Sequence, residues 1–505
     1  MPIPIVNSIA SWFLKKRFHQ IELFLKYPCE VQEELLQNLL FKAKNTEIGK
    51  EYDFESINSY REFANRVPIS TYEENEARIE RARRGESNIF WPKPIKWFAK
   101  SSGTTNAKSK FIPVSQESLE DCHYAASKDL LCMYLSNNPD SQLFVGKGLR
   151  LGGSKELYEE NGTVFGDLSA ILIDNMPFWA EFSSTPKNEI SLMGDWETKM
   201  QAIVNETIKE NVTSLAGVPS WMLVLLNTVM ETTGRENLFE IWPNLEVYFH
   251  GGVSFEPYID QYKRLLPRDT FKYYEIYNAS EGFFAIQDRN HSNELLLMLD
   301  YGIFYEFIPM DTFGTAEQTV IPLSEVEEGK NYAIVITTNA GLWRYKIGDT
   351  IRFTSVKPYR IRVTGRTKHH INVFGEELII ENAEAALRKV SKLTKTEIVD
   401  YTVAPIFMEG NKKGAHEWII EFKQPPEDFE SFSTLLDLSL QEVNSDYEAK
   451  RYNNTTLNAP RIHFGRERLF YDWLKQRDKL GGQHKVPRLS NSREYLEELL
   501  SLNGI

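Results

Sequence analysis

The first part of the chain carries apolar residues every three to four positions, the spacing of one helix face. Residues 18–65 follow this pattern, and so do residues 71–84. Ser70 or Thr71 would cap the second helix at its N-terminus, and Gly85 would end it. We therefore predict a helical region before any sheet begins.

Beyond this region, short apolar runs alternate with helical patterns. We predict strands at residues 110–114, 245–249, 272–277, 295–299, 304–308 and 333–337, and helices at residues 119–133, 196–211 and 219–232. Strands that alternate with helices indicate an α/β fold with a largely parallel sheet. We expect a large N-terminal domain of mixed or parallel sheets with helices over residues 1–355, and a smaller C-terminal α/β domain over residues 356–505.

Charge and composition narrow the classes of partner. The 505 residues carry a formal net charge of −13, which argues against a nucleic acid as the main partner. No apolar run approaches the roughly 20 residues of a membrane-spanning helix, and the apolar stretch 3–14 lacks the preceding basic residues of a signal peptide. The three cysteines are scattered without disulfide or metal spacing, so we expect a reducing, cytoplasmic location.

Residues 101–110 (Ser-Ser-Gly-Thr-Thr-Asn-Ala-Lys-Ser-Lys) combine small residues, hydroxyls and lysines in one loop. Such a loop can surround phosphate groups, because small residues let backbone N–H groups converge and lysines add positive charge. The spacing is not that of a Walker A loop, and an ordinary polar turn has a similar composition. Composition alone leaves both interpretations open.

A second polar segment, residues 274–282, closes a predicted strand. Ligands of α/β sheets bind at the carboxyl ends of strands. Tyr277 can stack on a base there, and Glu281 can hold Mg²⁺ beside phosphates. A turn with an exposed glutamate is the alternative.

Two further segments place charged side chains after glycine turns. Residues 341–349 include Arg344, which can neutralise phosphate, and end in Asp349, which can accept hydrogen bonds from ribose hydroxyls. Residues 481–488 present Lys485, a mobile positive charge able to reach a phosphate. A hairpin turn and a basic surface turn are the alternatives.

The order of these segments resembles the adenylate-forming superfamily, and in particular the auxin-responsive (GH-three) acyl acid–amido synthetases of the bacterial type. The resemblance covers nearly the whole chain. It implies an N-terminal domain that binds ATP and an acyl acid, and a C-terminal cap that swivels about residues 350–362. The segments that carry it are Val67-Pro68, Trp91-Pro92, residues 101–110, Gly217-Val218-Pro219, His250-Gly251-Gly252, residues 277–282, residues 341–349, Gly365-Arg366 and residues 481–488.

The resemblance implies a role for each matching position. The ATP-binding residues would be Ser101, Ser102, Gly103, Thr104, Thr105, Gly251, Gly252, Tyr277, Ser280, Asp349 and Arg366. The catalytic residues would be Lys485, Glu281 and Arg344, with Glu281 also holding Mg²⁺. The acyl substrate would contact Gly217, Val218, Pro219 and Trp221. Many relatives carry a lysine where this chain has Gly375-Glu376-Glu377-Leu378, and Lys368 is a candidate replacement.

The implied activity is adenylation of a carboxylic acid with ATP and Mg²⁺, followed by transfer of the acyl group to an amine, an amino acid's in this family. The implied partners are small molecules, with no nucleic acid and no membrane. An acyl-CoA ligase and a non-catalytic nucleotide-binding protein stay open as alternatives. The acid, the amine and the oligomeric state are not readable. Candidates for acid–base work, without triad or metal spacing, are His123, His250, His369, His370 and His484.

Overall fold

The computed structural model of the chain describes residues 17, 19–101, 110–152, 157–176, 178–193, 196–252, 255, 258–367, 370–376, 378–409, 412–452, 457–477 and 487–505. Several positions predicted above lie outside these ranges: the N-terminal stretch 3–14, Ser102, Gly103, Thr104, Thr105, Lys368, His369, His484 and Lys485.

The helices lie mostly where their apolar spacing predicts them. They are α1 Pro28–Ala43, α2 Glu47–Glu51, α3 Tyr60–Arg66, α4 Tyr72–Arg83, α5 Ala125–Asn137, α6 Leu168–Asp174, α7 Phe178–Phe182, α8 Asn188–Ser191, α9 Trp196–Thr207, α10 Pro219–Thr233, α11 Ile259–Leu265, α12 Ile380–Thr394, α13 Phe429–Val443, α14 Ser445–Arg451, α15 Leu469–Gln476 and α16 Glu494–Asn503. A π-helical turn, Ser118–Tyr124, leads into α5. None of the helices in these ranges is long and apolar enough to cross a membrane.

The strands are β1 Trp97–Ser101, β2 Lys110–Val114, β3 Lys147–Arg150, β4 Tyr158–Glu160, β5 Thr163–Gly166, β6 Ser184–Thr185, β7 Val212–Gly217, β8 Val247–His250, β9 Lys272–Ala279, β10 Gly282–Ile286, β11 Leu295–Leu297, β12 Ile303–Pro309, β13 Ile321–Pro322, β14 Asn331–Thr338, β15 Tyr345–Val356, β16 Tyr359–Arg366, β17 His370–Ile371, β18 Leu378–Ile379, β19 Glu397–Ile406, β20 Ala415–Gln424 and β21 Arg461–Gly465. The α/β class predicted from the alternating pattern is confirmed.

One large sheet dominates the molecule, in the order β13-β12-β14-β15-β16-β11-β10-β9-β8-β7-β3-β6. Strands β6, β3, β7, β8 and β9 pair in parallel. In the rest of the sheet, along the order β9-β10-β11-β16-β15-β14-β12-β13, each strand pairs antiparallel with its neighbour. The expectation of a largely parallel sheet therefore holds for one half only. The other half turns back through short connections, such as Ser280–Glu281 between β9 and β10, which only antiparallel neighbours can use.

The large sheet extends further along the chain than predicted. Strands β15 and β16 form an antiparallel hairpin, with Asp349 opposite Arg366 and Val356 opposite Tyr359. The predicted boundary at residues 355 and 356 would cut this hairpin, so it is corrected to a position after Arg366. The predicted hinge at residues 350–362 is also part of the sheet, because its residues are held by cross-strand hydrogen bonds.

The C-terminal part has its own sheet, in the order β19-β20-β21. It packs against the N-terminal part through one hydrophobic cluster that contains both Trp242 and Trp418. Polar contacts also cross the junction: the Tyr258 hydroxyl donates to the Val373 carbonyl at 3.0 Å, and Gln261 donates to the Met408 carbonyl. The two parts therefore meet at a packed interface beside the carboxyl ends of β7 and β8.

Local signals determine several element boundaries. The backbone N–H of Thr71 donates to the Glu74 carboxylate at 2.7 Å at the start of α4, one half of a capping box. After that helix, Gly85 has φ +89°, a conformation that favours glycine. The Ser115 hydroxyl accepts from the backbone N–H of Ser118 at 2.9 Å, the hydrogen bond of a helix N-cap.

Candidate functional site

The site is built where the parallel and antiparallel halves of the large sheet meet, at the carboxyl end of β9. This strand carries Tyr277 near its end, and the turn into β10 carries Ser280 and Glu281. Strand β8, the parallel neighbour of β9, ends at the same edge with His250 and is followed by Gly251. Side chains from distant parts of the sequence therefore converge on one edge of the sheet, where α/β proteins bind ligands.

Asp349 connects three strands at this edge. Its Oδ2 accepts a hydrogen bond from the Tyr277 hydroxyl at 2.7 Å, and its Oδ1 accepts one from Arg366 Nε at 2.8 Å. Asp349 and Tyr277 are both buried, with 8% and 7% of their surface exposed. Burial, reinforced by the Asp349 carboxylate, raises the pKa of Tyr277 well above its ordinary value, so the hydroxyl remains a donor.

Glu281 faces the same cluster from the β9–β10 turn. Burial raises the pKa of its carboxyl to about 7, while the Lys110 ammonium opposes the rise and the Asp349 carboxylate adds to it. Lys110 also lies 3.9 Å from the carboxylate of Glu73. The site thus holds two carboxylates and two cations in close range, because Arg366 also acts on Glu281.

The first sequence motif reaches this cluster through its two ends. Ser101 at the end of β1 lies opposite Lys110 at the start of β2 in an antiparallel pair. The pair closes the loop 102–109, whose own residues lie outside the described ranges. Because Lys110 acts on Glu281, the predicted phosphate loop begins and ends beside the predicted magnesium ligand.

The titration of Glu281 gives a testable pH effect. Its folded pKa of about 7 exceeds the ordinary 4.5, so the folded state binds this proton more tightly than the unfolded state. The stability contributed by this proton is fully present below pH 4.5 and is lost as pH rises through about 7. We expect Glu281→Gln to flatten the decline in the free energy of unfolding over that range. Urea unfolding of the wild type and of Glu281→Gln between pH 5 and 8 measures the free energy of unfolding. An equal decline of that free energy with pH in the two proteins would contradict the raised pKa of Glu281.

Two glycines shape the loop after β8. A Cβ atom on Gly251 would lie 2.5 Å from the carbonyl oxygen of Ile276 on β9, which is too close for any side chain. Gly252 has φ +83°. These glycines let the loop lie directly against β9, one residue before Tyr277.

A group of tyrosines holds the predicted acyl turn. The Tyr248 hydroxyl donates to the Gly217 carbonyl at 2.9 Å, and the Tyr262 hydroxyl donates to the Pro219 carbonyl at 2.7 Å. The two rings stack with centroids 5.0 Å apart. Sequence patterns did not reveal these contacts, because Tyr262 lies 43 residues from Pro219. Pro219 itself begins α10, a favourable first position for proline.

Trp221 extends this turn toward the C-terminal part. The Lys450 ammonium of α14 lies 4.5 Å from the centroid of the Trp221 ring. Gly375 approaches both side chains, since a Cβ atom on this glycine would lie 3.3 Å from Lys450 and 3.8 Å from Trp221. The predicted acyl position therefore touches the interface between the two parts of the chain.

The structure corrects the prediction for Arg344. Its guanidinium is buried and donates to the Glu306 carboxylate at 2.8–3.1 Å, and to the carbonyls of Ala64 and Val67 at 2.7 Å. These contacts occupy the side chain, which lies away from solvent with 5% exposure. Arg344 thus forms a structural ion pair with Glu306 and anchors the end of α3. The arginine that contacts Asp349 is Arg366.

Two of the candidate histidines, His123 and His250, are buried. Burial lowers the pKa of His250 to about 3 and that of His123 to about 4, so both rings stay neutral. His250 stacks on Phe255 with ring centroids 4.2 Å apart. Within the stretch Gly375-Glu376-Glu377-Leu378, Glu376 is buried and contacts His416 at 2.9 Å. This glutamate stabilises the turn through the backbone N–H of Phe374 at 2.7 Å.

A magnesium ion fits the donor set at Glu281. No group of three or more His, Cys, Asp or Glu side chains able to hold a metal lies within the described ranges. Mg²⁺ bound with a nucleotide needs only one or two carboxylates beside the phosphates. Glu281 supplies one such carboxylate: its raised pKa reflects a buried negative charge that its neighbours compensate only in part, and Mg²⁺ would offset that charge.

Comparison with known protein families covers nearly the whole chain. Models of the GH3 family N-terminal domain, central domain and C-terminal domain match residues 17–271, 296–366 and 381–494. The chain is 24% identical over 472 residues to indole-3-acetic acid-amido synthetase GH3.2 of Arabidopsis thaliana, covering 79% of this chain and 85% of that protein. It is 25% identical over 476 residues to jasmonoyl-L-amino acid synthetase JAR4 of Nicotiana attenuata, covering 79% and 80%.

Solved structures share the fold. The GH3.15 acyl acid amido synthetase superposes with a TM-score of 0.59 at 18% identity, covering 94% of this chain and 93% of that one. A 2-hydroxyisobutyryl-CoA ligase superposes with a TM-score of 0.59 at 14% identity, covering 94% and 92%. At these identities the likeness shows a shared fold. The end of the matched central domain at residue 366 coincides with the end of β16.

Proposed function

The chain belongs to the GH3 family, and from this premise we propose that it is an ATP-dependent ligase. It joins a carboxylic acid to an amine, an amino acid's, through an acyl adenylate, and releases AMP and pyrophosphate. The relatives named for acid–amido synthesis support this activity for the chain. The acids in the names of these relatives are not assigned to this chain, so its acyl substrate is defined only as a small carboxylic acid.

One observation carries the proposal: Tyr277, Asp349 and Arg366 meet at the strand edge beside Glu281. In the proposal, Asp349 receives the ribose hydroxyls and Tyr277 packs on the adenine next to Gly251. Ser101 and Ser280 would face the phosphates, and we assign phosphate binding also to Ser102, Gly103, Thr104 and Thr105, which lie outside the described ranges. The Tyr277 hydroxyl and Arg366 hold the Asp349 carboxylate in one orientation, which lowers the cost of ordering it when ATP binds.

In the first step, a substrate carboxylate oxygen attacks the α-phosphorus of ATP, and the bond to pyrophosphate breaks. The chain must bring two anions together and stabilise the charge that develops at the phosphorus. Lys110 and Arg366 supply positive charge from the described part of the site, and Lys485 would add to it from the C-terminal part. Glu281 would hold Mg²⁺, which neutralises phosphate charge when bound.

In the second step, the amine nitrogen attacks the acyl carbon of the adenylate, and AMP leaves. The acyl group would lie along the Gly217–Pro219 turn, against Trp221. Lys450 of the C-terminal part lies over the Trp221 ring, so the acyl position is at the interface between the two parts, which in this proposal keeps water away from the acyl group. Exclusion of water protects the adenylate from hydrolysis before the amine arrives.

An acyl-CoA ligase is the second candidate, because the same fold carries that activity in a structural neighbour. Its first step is identical, and only the acceptor differs. Product analysis distinguishes the two: incubation with ATP, a mixture of carboxylic acids and the amino acids is expected to give an amide and AMP. Formation of a thioester when CoA is added, without any amide, would favour the acyl-CoA ligase.

A further inference from the structure

A cavity of about 580 Å³ lies in the C-terminal part, at one end of the sheet β19-β20-β21. Its walls are formed where β19 ends and where β20 and β21 begin. None of the ATP-site residues described above takes part in it. The lining residues are Ile406, Phe407, Glu409, Lys412, Lys413, Ala415, Asn458, Ala459 and Arg461.

The cavity lining has an excess of positive charge, whereas the whole protein has a negative net charge. The chain has a formal net charge of −13, yet the lining has three cations, Lys412, Lys413 and Arg461, against one carboxylate, Glu409. Within the described ranges, neither lysine forms an ion pair with a carboxylate. A local excess of cations on an acidic protein attracts anions.

Arg461 is also available to a ligand. Its side chain is 62% exposed and lies 3.3 Å from the Glu417 carboxylate. That carboxylate also contacts Arg493 at 2.7 Å and His463 at 2.8 Å, so it is shared. Glu417 therefore leaves much of the charge of Arg461 free to meet an anion in the cavity.

The cavity lies next to the junction that holds the acyl turn. Met408, between the lining residues Phe407 and Glu409, accepts a hydrogen bond from Gln261 of α11. Gly414, beside the lining residue Ala415, lies against the ring of Phe374. Phe374 precedes Gly375, which approaches Trp221. A ligand in the cavity would therefore lie one layer of side chains from the predicted acyl position.

We infer that this cavity binds an adenine nucleotide, with its phosphates on Lys412, Lys413 and Arg461 and its base on the apolar wall formed by Ile406, Phe407 and Ala459. Lysine and arginine are the usual phosphate partners in proteins. A volume of about 580 Å³ is that of a site for a nucleotide-sized ligand, and it exceeds the needs of a lone amino acid or inorganic phosphate. The nucleotide is either the adenosine phosphate portion of a thiol acceptor such as CoA, or free ATP or AMP that acts as an effector.

The test is calorimetric titration of the full chain with CoA, ATP, AMP and pyrophosphate, and with adenosine as the uncharged probe. The double variant Lys412→Ala/Lys413→Ala is compared with Lys423→Ala, a matched control on the same sheet. Lys423 lies eight positions beyond Ala415 on β20, roughly 26 Å away at strand spacing. Titrations in the Asp349→Ala background separate this cavity from the ATP site.

We expect a phosphorylated adenine probe to bind in both backgrounds, with affinity about tenfold or more weaker in the double variant and unchanged in Lys423→Ala. Preference for CoA would identify a thiol acceptor, whereas preference for ATP or AMP would identify an effector. In the Asp349→Ala background, the inference fails if no phosphorylated probe binds, or if the probe binds equally well with and without the Lys412→Ala/Lys413→Ala substitutions. Carboxylate-dependent ATP–pyrophosphate exchange, run in parallel, should survive in the double variant. Its absence in the wild type would count against the proposed adenylation and not against the cavity.

Discussion

Replacing Asp349 by alanine is expected to weaken ATP binding about a hundredfold. Two hydrogen bonds from ribose hydroxyls to a carboxylate are worth about 1.5 kcal/mol each, and their loss corresponds to that factor in Kd. The carboxylate is buried and oriented by Tyr277 and Arg366, so no neighbouring carboxylate replaces it without rearrangement. Calorimetric titration of ATP into the folded variant measures the change.

Two further variants make this result specific. Asp288→Ala removes a comparable ion pair, since Asp288, just after β10, contacts Arg360 of β16 at 2.5 Å, and its side chain is 14% exposed against 11% for the side chain of Asp349. It should leave the ATP affinity unchanged. Tyr277→Phe keeps the ring but removes the hydroxyl that orients Asp349, and a loss of a few-fold is expected. Equal ATP affinity in Asp349→Ala and the wild type would remove the ribose role.

Glu306→Ala is expected to lower the free energy of unfolding by about 3–5 kcal/mol. Glu306 is fully buried beside Arg344, and removing one partner leaves the other charge buried without compensation. The loss also breaks the hydrogen bond from the Tyr60 hydroxyl at 3.0 Å. Urea unfolding followed by circular dichroism measures the change.

The double variant Glu306→Leu/Arg344→Met provides the control, because two apolar residues leave no uncompensated charge. It should recover most of the lost stability. ATP affinity, measured on the folded fraction, should stay near the wild-type value in both variants. A loss of less than about 1 kcal/mol in the free energy of unfolding for Glu306→Ala would indicate a solvated ion pair. A specific loss of ATP binding would indicate that Arg344 takes part in the ATP site.

Local elements of the fold were predictable from the sequence. Strand β2 and helix α4 lie within one residue of the predicted bounds, because alternation, capping residues and Gly85 are signals contained in a short segment. The antiparallel half of the sheet was not predictable in the same way. Which strand pairs with which depends on contacts between distant segments, such as β11 with β16.

The candidate site shows the same division. Tyr277, Glu281 and Asp349 stood out as polar residues beside turns, and the structure brings them together. The error at Arg344 arose because its partner, Glu306, lies 38 residues away on β12 and looks like an ordinary strand residue. The tyrosines under the acyl turn were missed for the same physical reason. Their apolar rings suit a core, and only the fold shows that their hydroxyls hold a functional loop.

The boundary between the two parts was also misplaced for a physical reason. Residues 350–362 contain Pro358, and proline interrupts strands. In the structure it lies in the turn between β15 and β16, where a missing backbone N–H costs nothing. The hairpin therefore tolerates a residue that a continuous strand would not.

The central claim is that this chain activates a carboxylic acid as an adenylate and gives the acyl group to an amine. The most direct measurement is mass spectrometry of the products after incubation with Mg²⁺, a library of carboxylic acids, the amino acids and ATP at a concentration near the wild-type Kd, with Asp349→Ala as the control of reduced product formation. We predict a new amide whose mass equals one acid plus one amino acid less water, together with an equal amount of AMP. Release of ADP in place of AMP, or the absence of any acid-dependent AMP from folded, ATP-binding protein, would contradict the account.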